Sequence, residues 1–174
     1  MSFQTIKPTE MQDNPFTLIA ADTMLVTAKM GDQVNTMTIG WGGFGVLWGK
    51  NVVYMVVRPE RYTHGLLEQA EGFSLTAFDR DERSREILRL CGTKSGRDMD
   101  KIAACDLNLA YDGEVPYFEE ARLVMCCKKI YRSAIMTEFY CGGDGMMEKW
   151  YDGSYGAPHS VYIAEISKLM VRVE

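Results

Sequence analysis

Apolar and polar positions alternate with period two in several short runs, and each run predicts a strand. In Asn35-Thr36-Met37-Thr38-Ile39-Gly40-Trp41, the residues Met37, Ile39 and Trp41 point one way. Thr36, Thr38 and Gly40 point the other, giving a small, hydroxyl-bearing face with room for a flat ligand. Phe73 to Phe78 repeats the alternation, with Phe73, Leu75 and Ala77 on one face. Val52 to Val57 is a continuous apolar strand, ended by Pro59 because proline cannot donate to a ladder. Phe16 to Met30 reads as two short strands around Ala21-Asp22-Thr23. Glu120 to Ile130 reads as a strand buried on both faces in its middle, and His159 to Val173 as the last strand or strand pair. Gly31-Asp32 and Tyr111-Asp112-Gly113-Glu114 are hairpin turns, and residues 1 to 14 form a polar, irregular arm.

The period changes in three places. Thr63 is a candidate N-cap for a short helix that turns Leu66, Leu67 and Ala70 inward and closes at Glu71-Gly72. Asp79 to Cys91 carries an apolar stripe of Ile87, Leu88 and Cys91, with Gly92 as its stop. Met99 to Ala104 is a third short helix. Met136 to Gly156 has turn chemistry throughout, in Cys141-Gly142-Gly143-Asp144-Gly145 and Tyr151-Asp152-Gly153-Ser154, and reads as a long excursion. About seven or eight strands at hairpin-like spacing, interrupted by two or three short helices, predict an antiparallel barrel rather than a parallel sheet. Residues 1–174 read as one domain.

Gly40-Trp41-Gly42-Gly43-Phe44-Gly45 matches the dinucleotide fingerprint G-x-G-x-x-G letter for letter. That motif works only where a helix follows at once and holds the pyrophosphate on its N-terminus. Here a turn-like Val46 to Asn51 and then the Val52 strand follow, so the dinucleotide reading is rejected.

A net charge of −5 and the absence of a basic arm argue against nucleic-acid binding. No apolar run is long enough for a membrane span. The five cysteines are odd in number and form no C-x-x-C, so neither a disulfide framework nor a zinc site is indicated, and a reducing cytoplasm is expected. Cys126 and Cys127 read as two small buried hydrophobes rather than a redox pair.

Arg58 ends a strand and Thr63 opens a helix, so a guanidinium, a hydroxyl and free first-turn amides come together as a candidate phosphate site. Lys94-Ser95-Gly96-Arg97 is a second anion-friendly turn. Alone, the first reads equally as a capped helix beside a surface arginine and the second as a solvated loop. Together with the small-faced strand they suit a flat ring carrying a phosphate. Asp98 and Asp100 beside Lys101 read as helix-start acids. Neither His64 nor His159 has the neighbours of a catalytic triad or a metal site, and no catalytic side chain is assigned. If reaction chemistry occurs, a cofactor carries it.

The stretches Asn35–Trp41, Arg58-Pro59-Glu60-Arg61-Tyr62-Thr63, Phe73–Phe78 and Gly92-Thr93-Lys94-Ser95-Gly96-Arg97-Asp98 with Asp100-Lys101 occur in this order across most of the chain. In that order and spacing they resemble the flavin reductase-like, FMN-binding split-barrel family, in its flavoredoxin-like branch. The resemblance implies a mainly β fold: an antiparallel Greek-key split β-barrel with two or three short inserted helices. It implies a homodimer holding FMN noncovalently near the subunit interface. On this carry-over Asn35, Thr36, Met37, Thr38 and Trp41 lie along the isoalloxazine, and Arg58 and Thr63 hold the phosphate. Lys94 and Ser95 reach the phosphate or the ring edge, and His159 faces the flavin or nicotinamide pocket. The implied activity is NAD(P)H-dependent flavin reduction or flavoredoxin-like electron transfer to a small-molecule or protein acceptor. The alternatives are a noncatalytic FMN carrier reduced by a partner protein, and a split barrel that binds another small ligand. Gly142 to Gly156, with Met146-Met147-Glu148-Lys149-Trp150, departs from the family pattern and would shape the pocket mouth.

Overall fold

Alternation predicts strands that bury one face, and the molecule wraps those faces around one core. The computed structural model describes residues 2–151 and 156–173. The strands are β1 (Ser2–Ile6), β2 (Met24–Met30), β3 (Gln33–Ile39), β4 (Gly42–Leu47), β5 (Lys50–Val57), β6 (Gly72–Ala77), β7 (Leu109–Asp112), β8 (Val115–Phe118), β9 (Leu123–Ala134) and β10 (Ser160–Val173). The α-helices are α1 (Tyr62–Gln69), α2 (Glu82–Thr93), α3 (Lys101–Ala104) and α4 (Met146–Tyr151).

Eight strands form one sheet in the order β3-β2-β6-β9-β10-β5-β4, with β1 added to β10, and β7 pairs with β8 in a separate hairpin. All of these pairings are antiparallel. The terminal strands β3 and β4 share no ladder among the described residues, so the barrel is split there. It is a barrel because Met37 and Ile39 of β3 share one buried cluster with Val53, Met55 and Val57 of β5. Leu66 and Leu67 of α1 join the same cluster. Full burial of each such side chain contributes roughly 1.5–3 kcal/mol. β10 pairs with β5 at one end and β1 at the other, and two register shifts against β9 let it bend between them.

β6 is buried on both faces because β8 lies over its outside, where Ser74 donates to the Pro116 carbonyl, beside a cluster of Leu25, Phe78, Ile87, Cys91 and Phe118. The middle of β9 is also buried on both faces, as its sequence predicts. Met125 and Cys127 face the barrel core, while Val124 and Cys126 face Met170. Cys126 and Cys127 are fully buried, all five thiols are free, and burial pushes the Cys126 thiol up to about 12. No described helix is long and apolar enough to cross a membrane.

Five local expectations are corrected. The N-terminal stretch is no loose arm: β1 pairs Ser2 to Ile6 with Val173 to Leu169, covering an edge that needs a backbone partner. Phe16 to Met30 holds one strand, not two. Thr17–Asp22 is a π-helical turn, because Leu18 and Ile19 both point inward, which neighbours on a strand cannot do. Its signal was Asn14, whose side-chain oxygen accepts from the amides of Phe16 and Thr17. Val46 to Asn51 is not all turn: β4 runs to Leu47, and only Trp48 (φ 51°) and Gly49 (φ 71°) turn. Thr63 is not the cap of α1 but lies one residue inside it, and Arg61 occupies the cap position. Gly92 does not stop α2, which continues to Thr93. A side chain there would meet Thr38 Cβ at 3.4 Å, so the glycine serves close packing on β3.

Candidate functional site

The turn after β5 carries Arg58-Pro59-Glu60-Arg61 into α1, and the turn after α2 carries Lys94-Ser95-Gly96-Arg97 toward α3. Between them lies a cavity of about 200 Å³, lined by Arg61, Thr63, Lys94, Ser95, Arg97 and Lys101 among others. Two of its cations reach inward to one acceptor. Arg61 Nη2 donates to the Cys91 carbonyl at 3.3 Å and Lys101 Nζ donates to it at 3.4 Å. Lys101 is only 2% exposed. Among the described residues no carboxylate pairs with Arg61, Lys94, Arg97 or Lys101. Asp100 commits its carboxylate to the amides of Ile102 and Ala103, and Glu60 accepts from the Ala157 amide. Burial pushes the pKa of both Arg61 and Lys101 down. Two cations sharing one carbonyl, Lys101 buried and Arg61 half-buried, leave charge that an anion in the cavity would offset.

Arg61 also lines a second cavity of about 330 Å³, bordered by Met37, Thr38, Gly40, Trp41, Arg58 and His159. This one is aromatic. The Trp41 indole is 41% exposed and lies 5.0 Å from the His159 ring, while Trp150 of α4 meets it edge-on at 4.8 Å. Tyr151 Oη lies 3.0 Å from His159 Nδ1. Arg58 donates to the carbonyls of Trp150 (3.3 Å) and Ala157 (3.4 Å), and its guanidinium lies 5.7 Å from the Tyr151 ring centre. Arg58 therefore ties the segment between β9 and β10 across the rim of this cavity.

Burial, and then the Arg58 charge, push His159 from 6.5 down to about 4, so its imidazole is neutral near pH 7. Its NMR resonances are expected to stay fixed across roughly pH 5 to 8. A titration midpoint near 6.5 would contradict this environment. Because the folded pKa is the lower one, the unfolded chain binds the proton first. The His159 contribution to stability is thus complete above 6.5 and declines as pH falls toward 4.

The sequence profile of the flavin reductase like domain matches residues 16–172. The chain belongs to this family. Among solved structures, the FMN-binding domain of a flavin reductases-like enzyme from Shewanella baltica OS155 superposes with a TM-score of 0.67 at 16% identity, covering 98% of this chain and 77% of that one. Flavoredoxin from Methanosarcina acetivorans gives 0.66 at 17% identity, over 87% and 68%. At such identities the likeness shows the shared split-barrel fold. A high molecular weight rubredoxin from Moorella thermoacetica is 27% identical over 99 residues, 57% of this chain. The match spans only 42% of that relative's length.

Within this flavin reductase-like domain, the residues singled out from sequence divide between the two cavities. Met37, Thr38, Trp41, Arg58 and His159 line the aromatic one. Thr63, Lys94 and Ser95 line the cationic one. Arg58 and Thr63, expected together, are thus in different cavities, and Arg61 links the two. Asn35 and Thr36 line neither. Asn35 Nδ2 donates to Thr63 Oγ1 at 2.8 Å from behind, and the fully buried Thr36 donates to the Val26 carbonyl.

The small face of β3 is not open along its length, because α2 rests on it and Thr38 donates to the Leu88 carbonyl. Room for a flat ligand remains only near its end, by Gly40 and Trp41. Arg61, Lys101, Trp150 and Tyr151 were not selected from sequence. Arg61 and Lys101 stood inside the quoted motifs, but nothing in a sequence shows that a lysine at a helix start is buried. Trp150 and Tyr151 belong to the excursion, whose residues 152–155, with the predicted turn, fall outside the described residues.

Proposed function

We propose that this domain holds one FMN noncovalently, its ring in the Trp41–His159 cavity and its phosphate in the Arg61–Lys101 cavity. The observation that carries this reading is the pair Arg61, half-buried, and Lys101, buried, which have no carboxylate partner among the described residues, with Arg61 also lining the aromatic cavity. FMN supplies hydride and electron transfer, which no side chain here offers. Arg61, Lys101, Lys94 and Ser95 would hold the phosphate, with Thr63 held in place by Asn35. Trp41 would pack beside the ring. Arg58 places positive charge over the same cavity, which favours electron acceptance there, and neutral His159 adds no competing charge.

On this reading the protein is an FMN-dependent oxidoreductase of a reducing cytoplasm that accepts hydride from NADH or NADPH. A second reading, an electron carrier reduced by a partner protein, is favoured by the relative named as a rubredoxin. The homodimer belongs to the proposal as well. Trp48, Tyr54 and Tyr131 stand 65%, 47% and 44% exposed on the β4–β5 side, an aromatic surface suited to a second copy.

The test is an absorption spectrum of the purified protein, followed by anaerobic addition of NADH or NADPH. A yellow protein that bleaches quickly is the expected result. Bleaching only with dithionite selects the carrier. A colourless protein that takes up no added FMN, and gains no thermal stability from it, overturns the cofactor reading.

A further inference from the structure

Two of the five free thiols meet beside the cationic cavity. Cys91 lies in the last turn of α2, its side chain fully buried with Leu25, Ile87 and Phe118. Cys105 follows the last residue of α3, is half-buried, and packs against the same cluster. The two side chains face each other within hydrogen-bonding reach. Among the described residues no other thiols are so placed. Cys126 and Cys127 are strand neighbours that point to opposite faces, and Cys141 is exposed in the excursion.

The fold holds α3 against α2 on either side of this pair. Lys101 Nζ donates to the Cys91 carbonyl at 3.4 Å, and Arg83 near the start of α2 donates to the Asp106 carbonyl at 3.0 Å. Asp106 stands at φ 50° directly after Cys105. Its amide donates to the Ala103 carbonyl and that of Leu107 to the Ile102 carbonyl, a turn that ends α3 and returns Leu107 to the buried cluster. Cys105 is thus the thiol that solvent reaches, and Cys91 is sealed behind it. Burial pushes both thiols up, Cys91 to about 12, while the Lys101 charge works the other way on each.

We propose that Cys91 and Cys105 form a reversible disulfide that ties α3 to α2 and weakens the cationic cavity's hold on the FMN phosphate. The bond stands on the packing of the two thiols; its effect on FMN rests on the FMN reading. A low-molecular-weight disulfide is the oxidant. The Cys105 thiolate, its proton released to solvent, attacks one sulfur of that disulfide. A mixed disulfide forms, and one small thiolate leaves and takes up a proton. The Cys91 sulfur then attacks the Cys105 sulfur, and the second small thiol departs with the Cys91 proton. The protein loses two electrons and two protons, and the oxidant gains both as two thiols. A sulfur–sulfur bond of about 2.05 Å draws the single turn of α3 toward α2. Lys101 opens that turn, and the Cys91 carbonyl holds Arg61 as well, so both cations leave the positions they take in the dithiol.

The experiment equilibrates the protein in glutathione buffers of rising oxidised fraction near pH 8, where more of each thiol ionises. The products are alkylated, digested without reduction and mapped by mass spectrometry. A Cys91–Cys105 link is expected, with the free thiols falling by two from five. Glutathione on Cys105 with no link to Cys91, or no oxidation of either thiol in the folded protein, overturns the assignment. FMN is expected to bind the linked form about fivefold or more weakly than the dithiol, and saturating FMN raises the oxidised fraction needed for linkage by the same factor. Cys105→Ser cannot form the link and is expected to keep one FMN affinity across all buffers. A link that leaves FMN affinity unchanged refutes the coupling to the cavity. A link in a protein that binds FMN in neither form upholds the disulfide and overturns the FMN reading instead.

Discussion

Replacing Arg61 with alanine lowers FMN affinity by about ten- to a hundredfold and leaves riboflavin affinity within about twofold. The range follows from losing one charged hydrogen bond to phosphate, worth roughly 1.5–3 kcal/mol, at 1.4 kcal/mol per tenfold. Riboflavin carries no phosphate, so it reports the ring cavity alone. Lys101→Met makes the argument sharper, because two readouts move in opposite directions. The lysine is buried, its pKa is lowered by desolvation, and its one hydrogen-bond acceptor in the described structure is the carbonyl it shares with Arg61. An apolar side chain of similar length removes that buried charge. The flavin-free protein is therefore expected to gain stability on the order of 1 kcal/mol in urea titration, while FMN affinity falls. A purely structural lysine gives the reverse: a less stable protein that binds FMN as before.

The contrast between Arg58 and Arg61 shows where a sequence stops being legible. Period-two alternation places β3, β5, β6 and β9, because each must turn one or both faces into a core. It misses β1 because the Ser2–Ile6 strand is justified by the open edge of β10, 163 to 171 residues away in the chain, and not by its own polarity. It misses the Thr17–Asp22 turn because two adjacent inward apolar residues look like part of a strand until both are seen to be buried.

Site residues follow the same division. Trp41, Thr63, Lys94, Ser95 and His159 stand in short stretches whose chemistry is local, and each lines one of the two cavities. Which arginine of Arg58 and Arg61 faces the cationic cavity depends on the exit direction of β5 and the start of α1. A hydroxyl near a helix start suggests a cap at Thr63, but the helix begins one residue earlier and puts Arg61 at the cap position. Burial of Lys101 depends on α3 folding back against the carbonyl end of α2, which no spacing encodes. The excursion is legible only as turn-rich, and its aromatic residues gain meaning from what Arg58 and Glu60 hold.

Those contacts set the effect of removing Arg58. Arg58→Ala deletes the hydrogen bonds to the Trp150 and Ala157 carbonyls and the stacking on Tyr151. Glu60 still ties the segment through the Ala157 amide, and Tyr151 still reaches His159. Two hydrogen bonds of roughly 0.5–1.5 kcal/mol each and a cation–π contact of about 0.5–1 kcal/mol bound the loss at a few kcal/mol, confined to this segment. Proteolysis between β9 and β10 should accelerate about tenfold or more without a comparable change in global unfolding. Trp150 and Tyr151 lose the Arg58 contacts that help hold them beside Trp41 and His159, so FMN and riboflavin should weaken together. The family resemblance puts Arg58 on the phosphate, whereas Arg58 borders the Trp41–His159 cavity, the one we propose for the ring. A loss confined to FMN in Arg58→Ala, with riboflavin and proteolysis unchanged, would return the phosphate to Arg58. Parallel losses for both flavins, set beside an FMN-selective loss in Arg61→Ala, would fix the division of labour between the two arginines.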